Sequence, residues 1–178
     1  MNSKIAESSK IINELLVIKP DSFFDHRGEN FETYNERHYS LIVKSIPAFQ
    51  NKDLKFTIDS FSTSTKNVLR GFHGDTLNWK LIQVLNGSVY FVVIDLRPES
   101  NTYNNVQYFQ LNDKNRLQVL VPPGCVNAHL VTSNDCIFHY KLTDSYVSIG
   151  NQIHVKWNDP KFNVYWPINQ PILSKRDI

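Results

Sequence analysis

After Pro20 the chain is made of short runs rich in Val, Ile, Leu, Phe and Tyr, broken by Gly, Asn, Asp or Pro roughly every ten residues, and this texture leaves few folds open. Runs of three to nine residues rich in β-branched and aromatic types are too short for most helices and suit strands of a sandwich or barrel. Candidate strands lie at 56–62, 81–85, 88–96, 108–111, 117–121, 129–131, 136–142 and 154–157. Asn86-Gly87, between two apolar runs, predicts a tight type I′ hairpin, because both residue types tolerate positive φ. Pro122-Pro123-Gly124 ends another strand, since proline cannot donate to a ladder. Two segments depart from the pattern. A short helix is expected at 5–16, on weak apolar spacing, and another at 35–44, where the β pattern is interrupted, and the stretch from Pro167 reads as irregular. A single domain over 1–178, with 1–16 as an N-terminal extension, accounts for the whole.

Lys and Arg exceed Asp and Glu by 19 − 17 = 2, too even a balance for an electrostatic nucleic-acid binder. The absence of a run of about 18 apolar residues predicts no membrane span, and the charged start at Lys4, Glu7 and Lys10 lacks a secretory pattern. Cys125 and Cys136 form no CxxC motif and are too few for a disulfide scaffold, which predicts reduced thiols and a cytoplasmic location.

Chemistry has few places to reside. No GxSxG, GxGxxG or P-loop motif occurs, and neither cysteine has an activating neighbour in sequence. Six histidines are present, without an HxH pair, so no metal is expected; His129 and His139 meet only if strand register allows. His73 is set apart by its surroundings, Val68-Leu69-Arg70-Gly71-Phe72-His73-Gly74-Asp75. Its two glycines would let backbone approach a ligand closely, and Arg70 could fork onto phosphate oxygens. Acid–base chemistry by His, Tyr and carboxylate, or plain ligand binding, is what remains.

Seven motifs in order carry a resemblance: Asp25-His26-Arg27-Gly28-Glu29-Asn30-Phe31, Val68 to His73, Lys80-Leu81-Ile82-Gln83-Val84-Leu85-Asn86-Gly87, Asp95-Leu96-Arg97-Pro98-Glu99-Ser100, Val121-Pro122-Pro123-Gly124, Tyr140-Lys141-Leu142-Thr143-Asp144 and Trp157-Asn158-Asp159-Pro160. From about Val17 onward the chain resembles the dTDP-4-dehydrorhamnose 3,5-epimerase family of cupin-type nucleotide-sugar epimerases. The resemblance implies an all-β, cupin-type jelly-roll β-sandwich with short peripheral helices, a homodimer exchanging N-terminal strands, and a reaction without cofactor or metal. It implies His73 as base, Asp177 as the carboxylate orienting it, Tyr140 as the acid on the opposite face and Lys80 as the cation beside the C4 oxygen. Arg70 and Arg27 would contact the pyrophosphate, Arg27 from the neighbouring subunit, with Glu29 near the substrate.

Departures from the family pattern bear on the substrate. The segment that usually reads Phe-Val-Gln-Asp-Asn-His-Ser is Phe56 to Ser62, with Ile58 and Ser60 in place of Gln and Asn. In Pro122-Pro123-Gly124-Cys125-Val126-Asn127-Ala128-His129, Asn127 replaces a common active-site histidine and His129 a phenylalanine. With Gly71-Phe72-His73-Gly74-Asp75, the chain is similar to a subgroup acting on GDP-4-keto-heptoses in bacterial capsule synthesis. The expected substrate is therefore a nucleotide sugar, GDP-linked in preference to dTDP-linked, inverted at C3 and C5. A C3-only epimerase, a dTDP-4-keto-6-deoxyglucose 3,5-epimerase and a non-catalytic sugar-nucleotide binder are the alternatives.

Overall fold

The computed structural model describes residues 5–144 and 149–178. Strands β1 (Ile5–Ser8) and β2 (Leu16–Lys19) precede a small hairpin, β3 (Ser22–Asp25) and β4 (Gly28–Phe31). Helix α1 (Glu36–Ser45) leads to β5 (Ile58–Thr65), β6 (Leu69–Asp75), β7 (Lys80–Asn86) and β8 (Ser88–Asp95). β9 (Val106–Asn112), β10 (Gln118–Val121), β11 (Cys125–Val131) and β12 (Asp135–Leu142) follow, and β13 (Gln152–His154) is last. One sheet runs β1-β2-β10-β7-β12-β5 and the other β13-β6-β11-β8-β9, which makes a jelly-roll sandwich.

The inner strands β7, β8, β10 and β11 are covered on both faces and read as nearly continuous apolar runs, whereas the edge strands β5 and β9 expose alternate residues. Ile82, Val84, Val89, Phe91, Val93 and Phe138 fill the space between the sheets. The other face of the six-stranded sheet puts Leu81 and Leu120 against Tyr39 and Val43 of α1. Leu69, Phe72, Val92 and Ile94 of the five-stranded sheet pack under Trp166 of the C-terminal segment. That segment is tied to β6 by backbone bonds, Leu69 N–H to Ile172 O at 3.0 Å and Ile172 N–H to Asn67 O at 2.8 Å.

The helix expected at 35–44 forms as α1, Glu36–Ser45. The Asn35 side chain accepts from His38 N–H, Glu36 and Lys44 suit the two ends of the helix dipole, and Pro47 follows its end. The helix expected at 5–16 does not form. β1 pairs with β2, and Ser9 Oγ accepts from both Ile11 N–H and Ile12 N–H in a tight turn that buries Ile12 and Leu15 completely. Part of the stretch read as an extension therefore belongs to the core. The Asn86-Gly87 hairpin is also overturned. β7 pairs with β10 and β12, and β8 with β11 and β9, so this turn carries the chain from one sheet to the other. Gly87 has φ +81°, and a Cβ there would lie 2.1 Å from Asp135 O. No helix among the described residues is long and apolar enough to cross a membrane.

Candidate active site

Between the sheets lies a cavity of about 430 Å³, lined by His73, Lys80, Asn127, Tyr140 and Asp177 among others. That is room for a sugar-sized ligand. Its walls come from different sheets: His73 stands on β6 of the five-stranded sheet, Tyr140 on β12 of the six-stranded one. A flat ring held between them would have an imidazole on one side and a phenol on the other.

His73 Nε2 lies 2.7 Å from Asp177 Oδ1, off the line of a straight hydrogen bond but close enough to pair as charges. Asp177 is buried, and its other oxygen accepts from Ser174 Oγ at 2.8 Å. A carboxylate one residue from the end of the sequence is therefore ordered, held by its own turn and by the segment pinned along β6. Pairing at Nε2 assigns the proton there and leaves the Nδ1 lone pair as the basic one, with no partner for it among the described residues. Burial lowers the pKa of His73 below the ordinary imidazole value, and Arg176 and His154 add to this, while Asp177 pulls the other way. The ring is thereby kept ready to accept a proton at neutral pH.

Lys80 opens β7 and spans the cleft, its ammonium 3.3 Å from His73 O and 3.5 Å from Asn127 Oδ1. Burial lowers its pKa, partly offset by Asp75. Asn127 is the cross-strand partner of His73, next to a bulge before His129. Arg70 sits at the cavity edge, its guanidinium on Ser64 Oγ and Thr63 O at 3.0 and 3.2 Å.

Arg27 and Glu29 are not brought to this cavity within the chain. Arg27 is an exposed residue of the β3–β4 turn, paired with Asp25 at 2.6 Å. Glu29 pairs with Arg116 at 2.6 Å, and Arg116 stacks on Phe31, so this carboxylate anchors the hairpin to the sandwich. The glycines beside His73 have a different reason from the one expected. A Cβ on Gly71 would lie 2.6 Å from Asn127 O and one on Gly74 2.3 Å from Cys125 O, so both admit the backbone of β11 instead of a ligand.

Histidines the sequence left open are now sorted. His129 is buried against Phe138, ring centroids 3.8 Å apart, and burial lowers its pKa to about 3. His139 lies in the other sheet, so the two never meet as neighbours. His73, His154 and Asp177 offer atoms within 4.8 Å of one another, the one such group found among the described residues, and they already contact each other as two stacked imidazoles facing one carboxylate. His154 was missed as a site residue, because nothing in the spacing of two histidines 81 positions apart signals that they pair. Burial pushes the Cys125 and Cys136 thiols up to about 12 and about 11, so neither is a nucleophile at neutral pH.

A cupin-type jelly roll with a carboxylate-backed imidazole and a phenol on opposite walls of one cavity has the makings of an isomerase that moves a proton between two faces of a bound molecule. The family model described as dTDP-4-dehydrorhamnose 3,5-epimerase matches residues 9–178, and the chain belongs to that family. It is 32% identical over 170 residues to the dTDP-4-dehydrorhamnose 3,5-epimerase of Salmonella typhimurium, covering 93% of this chain and 88% of that one. It is 31% identical to the enzyme of the same name from Methanothermobacter thermautotrophicus, covering 91% and 85%. In three dimensions it is similar to the dTDP-6-deoxy-D-glucose-3,5-epimerase of Legionella pneumophila in complex with dTDP-4-keto-L-rhamnose, at 31% identity and a TM-score of 0.85 over 98% of this chain and 89% of that one.

Proposed function

We propose that the protein inverts C3 and C5 of a nucleotide-linked 4-keto sugar, with dTDP-4-keto-6-deoxyglucose as substrate. The observation that carries this reading is the placement of His73 with Asp177 on one wall and Tyr140 on the other. His73 takes the proton from the carbon next to the C4 ketone, and the electron pair of that C–H bond moves into a C4 enolate. Lys80 stabilises the enolate oxygen, a role that preorganised charge performs well in a water-poor site. Tyr140 gives its phenolic proton to the opposite face of the carbon, the ketone re-forms, and solvent resets both groups. Asp177 holds the imidazole tautomer and steadies the imidazolium. The ketone is its own electron sink, so these residues suffice for the step.

The relatives named above carry dTDP-linked sugars in their names, which supports thymidine over the guanosine expected from the short Gly71 to Asp75 segment. A second reading, a GDP-linked 4-keto-heptose, is favoured by the changed contacts at Ile58, Ser60 and Asn127. For the assembly we infer a homodimer. The β3–β4 hairpin exposes Phe23 and Phe24, each 74% accessible, beside Arg27, and a second copy would cover the rings and receive the guanidinium at its phosphate site. Proton NMR in D2O with both sugars tests the reaction. Loss of the C3 and C5 signals with the dTDP sugar is expected; loss with the GDP-heptose alone would select the second reading, and loss at C3 only would reduce the reaction to one centre.

A further inference from the structure

β13 pairs antiparallel with β6 in the register Gln152↔Asp75, Ile153↔Gly74, His154↔His73. Next along, Phe72 and Val155 exchange both backbone hydrogen bonds, at 3.1 and 3.2 Å. His73 and His154 are therefore a non-hydrogen-bonded pair, the kind whose side chains stand closest. Their rings stack with centroids 5.3 Å apart and planes 28° from parallel. Asp177 Oδ1, 2.7 Å from His73 Nε2, is also 3.8 Å from His154 Nε2. One buried carboxylate thus faces two imidazoles.

We propose that His154 is a positioning residue for the base: it stacks on the His73 ring and, by sharing Asp177 and opposing a second positive charge, holds His73 in its proton-accepting form at neutral pH. The inference rests on the base role given to His73 above. Like charges directly opposite on paired strands repel. At a separation of 5.3 Å, even with the screening of bulk water, two unit charges oppose double protonation by about half a pH unit. Other groups press on His73 as well. Asp177 favours its protonation and Arg176 of the same segment opposes it. Lys80 brings an ammonium from β7, and His129 of β11 is neutral through burial. Tyr140 of β12 lies across the cavity, with Arg70 and Asp75 on the same strand as the base. Of these, His154 alone is stacked on the ring and shares its carboxylate.

Two substitutions separate charge from packing. His154→Phe keeps a flat ring that cannot take a proton, and His154→Ala removes the ring as well. The His73 ring would be titrated by carbon-13 NMR in the free protein, next to the pH profile of solvent-deuterium exchange into dTDP-4-keto-6-deoxyglucose. In both variants His73 is expected to titrate roughly half a unit or more higher, with the acid limb of the exchange profile moving by the same amount. An unmoved titration in the Phe variant overturns the proposal, even if the Ala variant shifts, because burial would then be the cause. If the titration shifts while wild-type protein exchanges no proton of either sugar, the pairing stands and the epimerase reading fails.

Discussion

Among the described residues, His73 and His139 each meet an aspartate, and the two pairs differ in what they leave open. In the five-stranded sheet, His73 has one ring nitrogen on the buried Asp177 and the other unpartnered among the described residues, at the wall of a cavity. In the six-stranded sheet, His139 is held at both nitrogens, Nε2 by Asp59 at 2.5 Å and Nδ1 by the Gln83 amide at 2.8 Å. The chain of bonds continues from Gln83 to Gln118 and Tyr39, beneath α1. Asp59 also takes Lys141; burial alone would raise its pKa, and these two partners outweigh that and hold it below the usual carboxylate range. The same two residue types leave one ring nitrogen open to a cavity in the first pair and none in the second. Strand alternation decides which: on β12, Tyr140 lines the cavity, and its neighbours His139 and Lys141 bond Asp59 instead.

The sharpest break of that contrast is His73→Asn. Deuterium exchange into the sugar should fall by roughly 10²–10⁴-fold, the range of a lost general base, with little change in melting temperature. Asp177→Asn should lower the rate by roughly 10²-fold or more through the wrong tautomer, leaving substrate affinity nearly unchanged in a titration by NMR line broadening. The pH profile follows from the same geometry. Because burial places the His73 pKa below the ordinary value, exchange should hold through pH 7 and fall only as the pH drops below that of a free imidazole, about 6.5.

Stability tests the other histidines. His129 has its folded pKa depressed to about 3, so as pH falls the unfolded chain takes up the proton first. The stability it allows is complete above about 6.5 and is lost as pH falls toward 3, with a slope of up to about 1.4 kcal/mol per pH unit. His129→Phe should flatten that part of the acid-unfolding curve measured by circular dichroism. His139→Asn should cost about 1–3 kcal/mol in urea unfolding, by stranding the buried Gln83 amide, while the exchange rate per folded molecule is kept. Asp59→Asn should cost less, about 1 kcal/mol or below, because its carboxylate is largely exposed.

The strand candidates at 81–85, 88–96 and 136–142 correspond to β7, β8 and β12, because long β-branched and aromatic runs can be buried in few other ways. Asn35 and Pro47 bracket α1 for reasons local to the backbone. β6 is not legible as a strand in the sequence, since Arg70, Gly71, His73 and Gly74 dilute its apolar pattern; those glycines are needed by β11, which no local rule foresees.

What the amino-acid order determined by itself is the set of segments that extend, turn or coil, together with the ordered motifs that place the chain in its family. Those are short-range preferences of backbone and side chain, readable within a dozen residues. Only the tertiary structure decided that Asn86-Gly87 crosses between sheets and that His154 rather than another histidine stacks on His73. Each depends on which strands become neighbours, and pairing is chosen by the burial of whole sheet faces, a sum over contacts far apart in the chain.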